Sequence, residues 1–131
     1  MIALDTNVLV RFLVDDDQIQ ADKAARLLRR AAHRRERLFV SDVVVCEMVW
    51  VLRSCYQVTR EEIAATIESM LKTRQLLFAS PDLLAHALHA YRSGQGDFAD
   101  YVIRERARQA GCDRVATFDG ALVREAGFVA P

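Results

Sequence analysis

The pattern of apolar and polar positions changes its period along the chain, and the changes mark short strands that alternate with helices. Short apolar runs predict four strands, at residues 2–4, 38–41, 76–80 and 114–118. Apolar residues at helical spacing occupy the stretches between the strands, most clearly at residues 15–35. This alternation is typical of an α/β domain whose sheet is mainly parallel.

Capping residues predict where several of these helices begin. Ser41 or Asp42 is placed to cap the helix that follows the second strand. The segment TREE opens with the spacing of a capping box and predicts a helix over residues 59–74. Asp97 is placed to cap a helix over residues 97–110, which stops at a glycine.

Composition limits the class of protein. The apolar fraction of 52% excludes a disordered chain. The length of 131 residues predicts a single domain at residues 1–131. No apolar run approaches the ~20 residues that a transmembrane helix needs, and the N-terminus lacks the pattern of a signal peptide. Cys46, Cys55 and Cys112 have no CxxC spacing and are interpreted as free core thiols in a reducing compartment. A cytoplasmic protein is therefore expected.

Acidic residues follow two of the predicted strands where each strand ends. Asp5 comes directly after the first strand and Asp119 after the fourth. In open α/β sheets the functional crevice lies at the carboxyl ends of the strands, so both are candidates for a site. Asp97 and Asp100 are three residues apart and share one helix face. Taken alone, each of these aspartates also has the ordinary explanation of a residue that caps a helix or favours its dipole.

Glu47 interrupts an apolar segment, FVSDVVVCEMVWVL, about one and a half turns into the helix after the second strand. An ionised carboxylate that is buried there loses its hydration and needs a partner. A cation shared with the other acids is the favoured explanation, and an ion pair with an arginine such as Arg53 is the alternative. Trp50 on the same helix is interpreted as a core residue, as are Phe39 and Phe98.

Several carboxylates at one sheet edge repel one another unless a positive charge lies between them. The motif HExxH is absent, and His33, His86 and His89 are scattered. The ligand set therefore consists of oxygens alone, which suits Mg²⁺ or Mn²⁺ rather than zinc. Such an ion commonly holds phosphates and activates water for attack on a phosphodiester.

The basic residues are almost all arginines. Of 18 basic residues, only Lys23 and Lys72 are lysines, and arginines cluster at residues 26–37 and 104–108. We interpret these clusters as solvated helix faces. The alternative is a nucleic-acid footprint, which composition does not establish, because the net charge of the chain is zero.

Four segments occur in order: LDTNVLV at residues 4–10, VSDVVVCEMVWVL at 40–52, DFADYVIRERARQAGC at 97–112 and VATFD at 115–119. Together they resemble the PIN-domain family, and within it the small single-domain ribonuclease toxins of the VapC type. The similarity spans essentially the whole chain. It implies a PIN-like three-layer α/β/α domain with a mainly parallel central sheet of four to five strands.

The resemblance also implies a set of site residues. Metal-binding and catalytic acids are expected at Asp5, Glu47, Asp100 and Asp119, with Asp97 as a secondary acid near the metal. Supporting polar residues are expected at Thr6, Asn7, Ser41 and Thr117. The implied cofactor is Mg²⁺, for which Mn²⁺ can substitute. Tyr101 departs from the family pattern, in which a small residue commonly follows the acid, so it is expected to pack differently or to point outward.

The implied activity is that of a Mg²⁺-dependent endoribonuclease that cleaves RNA phosphodiester bonds to a 5′-phosphate and a 3′-hydroxyl. The implied role is the toxin of a toxin–antitoxin pair, a homodimer that a small VapB-like antitoxin neutralises. The apolar segment at residues 49–56 is a candidate for the interface. Which RNA is cleaved is left open.

Two alternatives of other classes remain. One is a catalytically inactive PIN-like binding module that uses the fold as a scaffold. The other is a phosphatase of the aspartyl-phosphate type. That chemistry normally uses a second acid two residues after the first, where this chain has Asn7.

Overall fold

A computed structural model describes residues 1–131. The chain forms two compact units, residues 1–79 and residues 80–131. The strands are β1 (Ile2–Ala3), β2 (Leu38–Val40), β3 (Leu76–Phe78), β4 (Val115–Ala116) and β5 (Phe128–Val129). The helices are α1 (Thr6–Leu13), α2 (Gln18–His33), α3 (Asp42–Tyr56), α4 (Arg60–Leu71), α5 (Pro81–Ser93) and α6 (Phe98–Gln109), with a 3₁₀ helix at Leu122–Arg124.

The first unit is built on a three-stranded parallel sheet. The strand order is β1-β2-β3, and Ile2 pairs with Leu38, which in turn pairs with Leu76. Because the strands are parallel, all their carboxyl ends lie at one edge of the sheet, the edge that Asp5 and Ser41 follow. The sheet and the helices that connect its strands enclose an apolar core.

Side-chain caps begin all four helices of this unit. Asp17 Oδ1 caps α2 by accepting from the N–H of Gln20 at 3.0 Å. Asp5 Oδ1 accepts from the N–H of Thr6 at 2.8 Å at the start of α1. Ser41 Oγ accepts from a backbone N–H in the first turn of α3 at 3.3 Å, and Thr59 Oγ1 does the same for α4 at 3.2 Å. These caps satisfy donors that the helix itself leaves unpaired. The helix α4 ends at Leu71, three residues before the predicted end, because the chain turns there to enter β3.

The second unit packs α5 against α6 and pairs β4 with β5 in parallel. Tyr91, Phe98 and Tyr101 are its largest fully buried side chains. The rings of Tyr91 and Phe98 meet edge to face, with centroids 5.7 Å apart and planes at 82°. Such a contact adds to the area that these rings bury, so it fixes the start of α6 against α5.

The predicted α/β class and the parallel pairing of the strands are confirmed. The strands form a sheet of three and a separate pair, and the pair takes its second strand from the terminal segment FVA. A short 3₁₀ helix at Leu122–Arg124 leads from β4 toward β5. No helix has both the length and the apolar content needed to cross a membrane.

Two predictions about the core were wrong. Trp50 is 66% exposed, because the core face of α3 is taken by Val45, Met48, Val49 and Leu52. The three cysteines are free as predicted, but none is fully buried, and Cys55 and Cys112 are exposed. Phe98 is in the core as predicted, whereas Phe39 is only partly buried.

Candidate active site

Thr6 connects two of the predicted acids in the first unit. Its backbone N–H donates to Asp5 Oδ1 at 2.8 Å, and its side-chain hydroxyl donates to Glu47 Oε2 at 2.9 Å. Thr6 is buried, whereas both acids are exposed. One fixed residue therefore orients a carboxylate from the end of β1 and a carboxylate from α3 at the same place.

Glu47 does not lie in the buried environment that its sequence context predicts. It is exposed, on the face of α3 that also carries Val43 and Trp50, while the apolar residues of the segment face the core on the other side. Because α3 has apolar residues on all its faces, the sequence does not show which face is exposed, and the predicted burial of Glu47 was wrong. The carboxylate thus needs no partner to offset burial, and its exposure leaves it open to a ligand.

The other two supporting polar residues of the first unit, Asn7 and Ser41, do not contact the acids in the same way as Thr6. Asn7 is exposed on the first turn of α1. Ser41 is partly buried and its hydroxyl accepts from the N–H of Val44, so its role in this structure is that of a helix cap. Of the two predicted partners of Asp5 in the same motif, Thr6 contacts the acids directly and Asn7 is presented to solvent.

The Asp100 carboxyl, in the second unit, has a raised pKa. Its Oδ2 accepts from the N–H of Asp97 at 2.8 Å, which closes the first turn of α6. Partial burial raises the pKa of the Asp100 carboxyl, and the bond from Asp97 N–H lowers it. The negative charges of Asp97, Asp119 and Glu125 raise the pKa further. All three of these charges disfavour the ionised form of Asp100.

Asp119 combines a candidate site position with a structural role. Its Oδ1 accepts from the N–H of Ala121 at 2.9 Å and of Leu122 at 3.2 Å, which begins the 3₁₀ helix. Thr117 Oγ1 accepts from the N–H of Asp119 at 3.1 Å. The supporting position predicted for Thr117 thus has a contact in the structure, directly to the backbone of the acid.

Sequence reasoning missed a hydrogen-bonded clamp at the start of α6. The Tyr101 hydroxyl accepts from the N–H of Gly96 at 2.9 Å and donates to Glu125 Oε1 at 2.7 Å. Glu125 Oε2 accepts from the N–H of Gln95 at 3.0 Å. Tyr101 is fully buried, so of the two expectations for this residue, the one that it points outward is wrong.

The glycines on either side of Gln95 make this clamp possible. A Cβ at Gly94 would lie 2.7 Å from Tyr101 Cζ, and a Cβ at Gly96 would lie 3.2 Å from the same atom. A side chain at either position would push the clamp apart. The two glycines were the available signal, since closely spaced glycines can mark a backbone that other groups approach closely.

The donor set is chemically suited to a hard divalent ion. In each of the four predicted acids, a hydrogen bond from the chain holds one carboxylate oxygen (Asp5 Oδ1, Glu47 Oε2, Asp100 Oδ2, Asp119 Oδ1). The second oxygen of each is left for a ligand, an arrangement in which surrounding donors orient a metal-binding group. The structure holds no group of three or more His, Cys, Asp or Glu side chains in a ready metal-binding arrangement. A single site made by all four acids stays a prediction.

Comparisons with known proteins agree with this reading of the chain. The family model of the PIN domain matches residues 2–127, a span that includes all four predicted acids. A VapC ribonuclease of Aquifex aeolicus (strain VF5) is 27% identical over 125 residues, which cover 95% of this chain and 91% of that protein.

Proposed function

The chain belongs to the PIN-domain family, and on that premise we propose that it is a Mg²⁺-dependent endoribonuclease that cleaves RNA phosphodiester bonds. The similarity to a VapC ribonuclease along 95% of the chain supports the choice of RNA as the substrate. The observation that carries the proposal is the pair of carboxylates that Thr6 orients: its N–H donates to Asp5 at 2.8 Å and its hydroxyl donates to Glu47 at 2.9 Å, and both acids are exposed. Capping of α1 accounts for the bond to Asp5, but it gives no reason for the bond to Glu47.

The proposal requires that the whole matched span acts as one domain, residues 1–131. The family model extends through both compact units, which supports this. Asp5 and Glu47 then serve the same reaction as Asp100 and Asp119, with Asp97 as a secondary acid. Because like charges disfavour one another, such a set is suited to a bound cation.

A bound Mg²⁺ ion, or Mn²⁺ in its place, would supply the positive charge that polarises a phosphodiester and assists the attack of water on it. Asp5, Glu47, Asp100 and Asp119 would hold the ion. Thr6 keeps the Asp5 and Glu47 carboxylates oriented through its N–H and its hydroxyl. Asp119 is oriented by the first turn of the 3₁₀ helix, so neither carboxylate arrangement has to form during the reaction.

The biological role that we propose is the toxin of a toxin–antitoxin pair, with a small VapB-like antitoxin as partner. This follows from the VapC relative. The homodimer that the family resemblance implies is part of the same proposal. In the segment 49–56, Val49 and Leu52 are buried in the core, whereas Trp50 is exposed, so the segment offers one large apolar side chain to an interface. Free thiols at all three cysteines support a reducing compartment such as the cytoplasm.

The test is cleavage of RNA by the purified protein with Mg²⁺ and with EDTA. We expect cleavage only with the ion, to products that carry a 5′-phosphate. Asp5→Asn and Asp100→Asn should abolish cleavage, whereas Asp113→Asn, at an exposed loop acid outside the predicted set, should leave it unchanged. RNA binding without cleavage in the wild-type protein would favour the scaffold alternative. A trapped phospho-enzyme would favour the phosphatase.

A further inference from the structure

Three successive backbone N–H groups in the loop between α5 and α6 each donate to an oxygen of a side chain in the second unit. The pairs are Gln95 with Glu125 Oε2 at 3.0 Å, Gly96 with the Tyr101 hydroxyl at 2.9 Å and Asp97 with Asp100 Oδ2 at 2.8 Å. Together the three bonds fix the backbone that leads into α6. The loop that orients the Asp100 carboxylate is therefore itself held by the clamp of Tyr101 and Glu125.

The Tyr101 hydroxyl is not needed by the core that surrounds the ring. The ring is fully buried and meets Phe128 edge to face, with centroids 6.3 Å apart, and a phenylalanine ring can make the same contact. A buried hydroxyl costs free energy unless it is hydrogen-bonded. Here it accepts from the buried Gly96 and donates to Glu125 Oε1 at 2.7 Å. The hydroxyl therefore connects the loop with residue 125, which is a different task from filling the core.

Glu125 differs from the predicted metal ligands because both of its carboxylate oxygens are occupied. Its Oε1 accepts from the Tyr101 hydroxyl, and its Oε2 accepts from the N–H of Gln95. In Asp100 and Asp119, the bonds from the chain go to one oxygen only. Glu125 is therefore suited to support the loop, and it has no oxygen left to offer an ion.

Glu125 also ends the 3₁₀ helix that Asp119 begins. Asp119 Oδ1 accepts from the N–H of Leu122 at 3.2 Å, and Leu122 O accepts from the N–H of Glu125 at 2.8 Å. Leu122 is buried, and a Cβ at Gly96 would lie 2.7 Å from its Cδ2, so the loop packs closely against this helix. The side chain of Glu125 thus connects the segment of Asp119 with the loop before Asp100.

We propose that Tyr101 and Glu125 are positioning residues, which set Asp100 relative to Asp119 for the binding of a divalent cation. The inference rests on the proposed nuclease function and adds two residues that contact neither the ion nor the RNA. Hydrogen-bonded supports of this kind fix the orientation of the groups that bind a metal. The two acids of the second unit then need no rearrangement when the ion binds.

The alternative is that the clamp only stabilises the fold, and Mn²⁺ binding by folded variants separates the two roles. Free Mn²⁺ is measured by electron paramagnetic resonance in titrations without RNA, at a temperature where each variant is folded. Tyr101→Phe and Glu125→Ala should each weaken Mn²⁺ binding about 10-fold or more, as expected when supports of metal ligands are removed. Equal affinity in the wild type and both variants would overturn the proposal.

The matched control is Val102→Ala. Val102 is a buried apolar residue of α6 and accepts none of the bonds of the loop. Its truncation should lower the free energy of unfolding, because it leaves a cavity in the core, and it should leave Mn²⁺ binding as in the wild type. A loss of affinity in Val102→Ala as large as in Tyr101→Phe would assign the effect to stability alone and reject positioning.

Glu125→Gln separates the hydrogen bonds of this residue from its charge. Glutamine keeps an oxygen for the Gln95 N–H and an amide group beside the Tyr101 hydroxyl, so it should bind Mn²⁺ nearly as the wild type does. Equal losses with Glu125→Gln and Glu125→Ala would mean that Glu125 acts on the ion by its charge, which contradicts a supporting role. The double variant Tyr101→Phe, Glu125→Ala should lose no more affinity than the weaker single variant, because both changes open one clamp. Additive losses would reject a common clamp.

Amide hydrogen exchange gives a readout that needs neither metal nor RNA. In Tyr101→Phe, the N–H groups of Gln95, Gly96 and Asp97 should exchange faster while the core of the second unit stays protected. In cleavage assays, this variant should lose rate at low Mg²⁺ and recover it as Mg²⁺ is raised, with KM for RNA unchanged. Unchanged exchange of the three N–H groups, or a lost rate that Mg²⁺ does not restore, would overturn the proposal.

The outcomes separate this inference from the proposed function. If the wild type binds no Mn²⁺ and cleaves no RNA with Mg²⁺, the nuclease proposal fails and the positioning role fails with it. If the wild type binds the ion and cleaves RNA, and Tyr101→Phe and Glu125→Ala do both equally well, only the positioning role is rejected.

Discussion

Thr6 donates its hydroxyl to Glu47 across 41 positions of sequence, at 2.9 Å, while its own N–H holds Asp5. A buried threonine thereby sets the orientation of two exposed carboxylates. Partners of this kind around a metal-binding group are worth about 10- to 100-fold in metal affinity or activity when they are removed. The role of this bond in the candidate site can therefore be tested by removing the Thr6 hydroxyl alone.

We predict that Thr6→Val lowers the rate of RNA cleavage about 10- to 100-fold. Valine has nearly the same shape, so the fold and the backbone N–H to Asp5 are kept while Glu47 loses its donor. Thr6→Ser retains the hydroxyl and should keep most of the activity. Initial rates at several Mg²⁺ concentrations would show the effect as a weaker response to the ion. Equal rates for the valine and serine variants would mean that the hydroxyl does not serve the site.

The response of the melting temperature to Mg²⁺ tests whether Asp5 and Asp100 bind the ion. An ion that binds only the folded protein stabilises it by mass action, by about 2.7 kcal/mol when its concentration is 100 times the dissociation constant. The wild type should therefore melt at a higher temperature with Mg²⁺, and Asp5→Asn and Asp100→Asn much less so. Asp97→Asn should resemble the wild type more closely, because asparagine also caps a helix. The same shift in all four proteins would contradict the predicted metal site.

The fold was predictable where local chemistry decides it. Ser41, Thr59 and Asp97 cap helices as their spacing predicts, and the parallel strands follow from their alternation with helices. Glu47 and Trp50 were misplaced because an apolar segment does not reveal its outward face until a sheet covers the other side. Caps depend on neighbours in sequence, whereas the choice of face depends on tertiary packing.

The candidate site was predictable in its acids and not in their surroundings. Asp5 and Asp119 follow strands, which is visible in the sequence. The clamp of Tyr101 and Glu125 joins residues 24 positions apart through a tyrosine hydroxyl, and no periodicity encodes such a contact. Hydrogen bonds between side chains of distant segments arise only once the backbone is in place.

The clamp gives a prediction about stability. Tyr101→Phe removes the hydroxyl that accepts from Gly96 N–H and donates to Glu125. The Gly96 N–H and the Glu125 carboxylate then each lose one hydrogen bond, which should lower the free energy of unfolding by about 1–3 kcal/mol. Tyr56→Phe is the matched control, because the Tyr56 hydroxyl bonds Asp16 at an exposed position and its loss should matter less. Urea unfolding of both variants would measure the difference. An equal loss of unfolding free energy in both would show that the clamp stabilises the fold no more than an exposed hydrogen bond does.

Thiol reactivity tests the environment of α3 next to Glu47. Burial raises the pKa of the Cys46 thiol to about 11, and the charge of Asp42 adds to the effect. At pH 8 only about one Cys46 in a thousand is then a thiolate, the form that reacts. Iodoacetamide should therefore modify the exposed Cys55 and Cys112 well before Cys46, as read by mass spectrometry of peptides. Asp42→Asn should raise the rate at Cys46, and rapid labelling of Cys46 in the folded wild type would contradict its predicted protection.

The pH dependence of stability follows from Asp100. Its pKa is raised above the ordinary value of 3.8, first by burial and then by Asp97, Asp119 and Glu125. Between the unfolded and the folded pKa, the folded protein binds more protons than the unfolded chain, so the free energy of unfolding falls as the pH rises through this window. Ionised Asp100 thus destabilises the metal-free protein at neutral pH, and this effect is absent below pH 3.8.

Asp100→Asn should remove that contribution in buffer with EDTA. The variant keeps an oxygen that can accept from Asp97 N–H, so the start of α6 retains its bond. Relative to the wild type, it should gain stability as the pH rises above 3.8, and the two proteins should converge below that pH. Urea midpoints over a pH series would give the comparison, and added Mg²⁺ should reverse the order at neutral pH because only the wild type keeps the full set of acids. A wild type that stays the more stable protein without metal would show that the acids around Asp100 do not repel it.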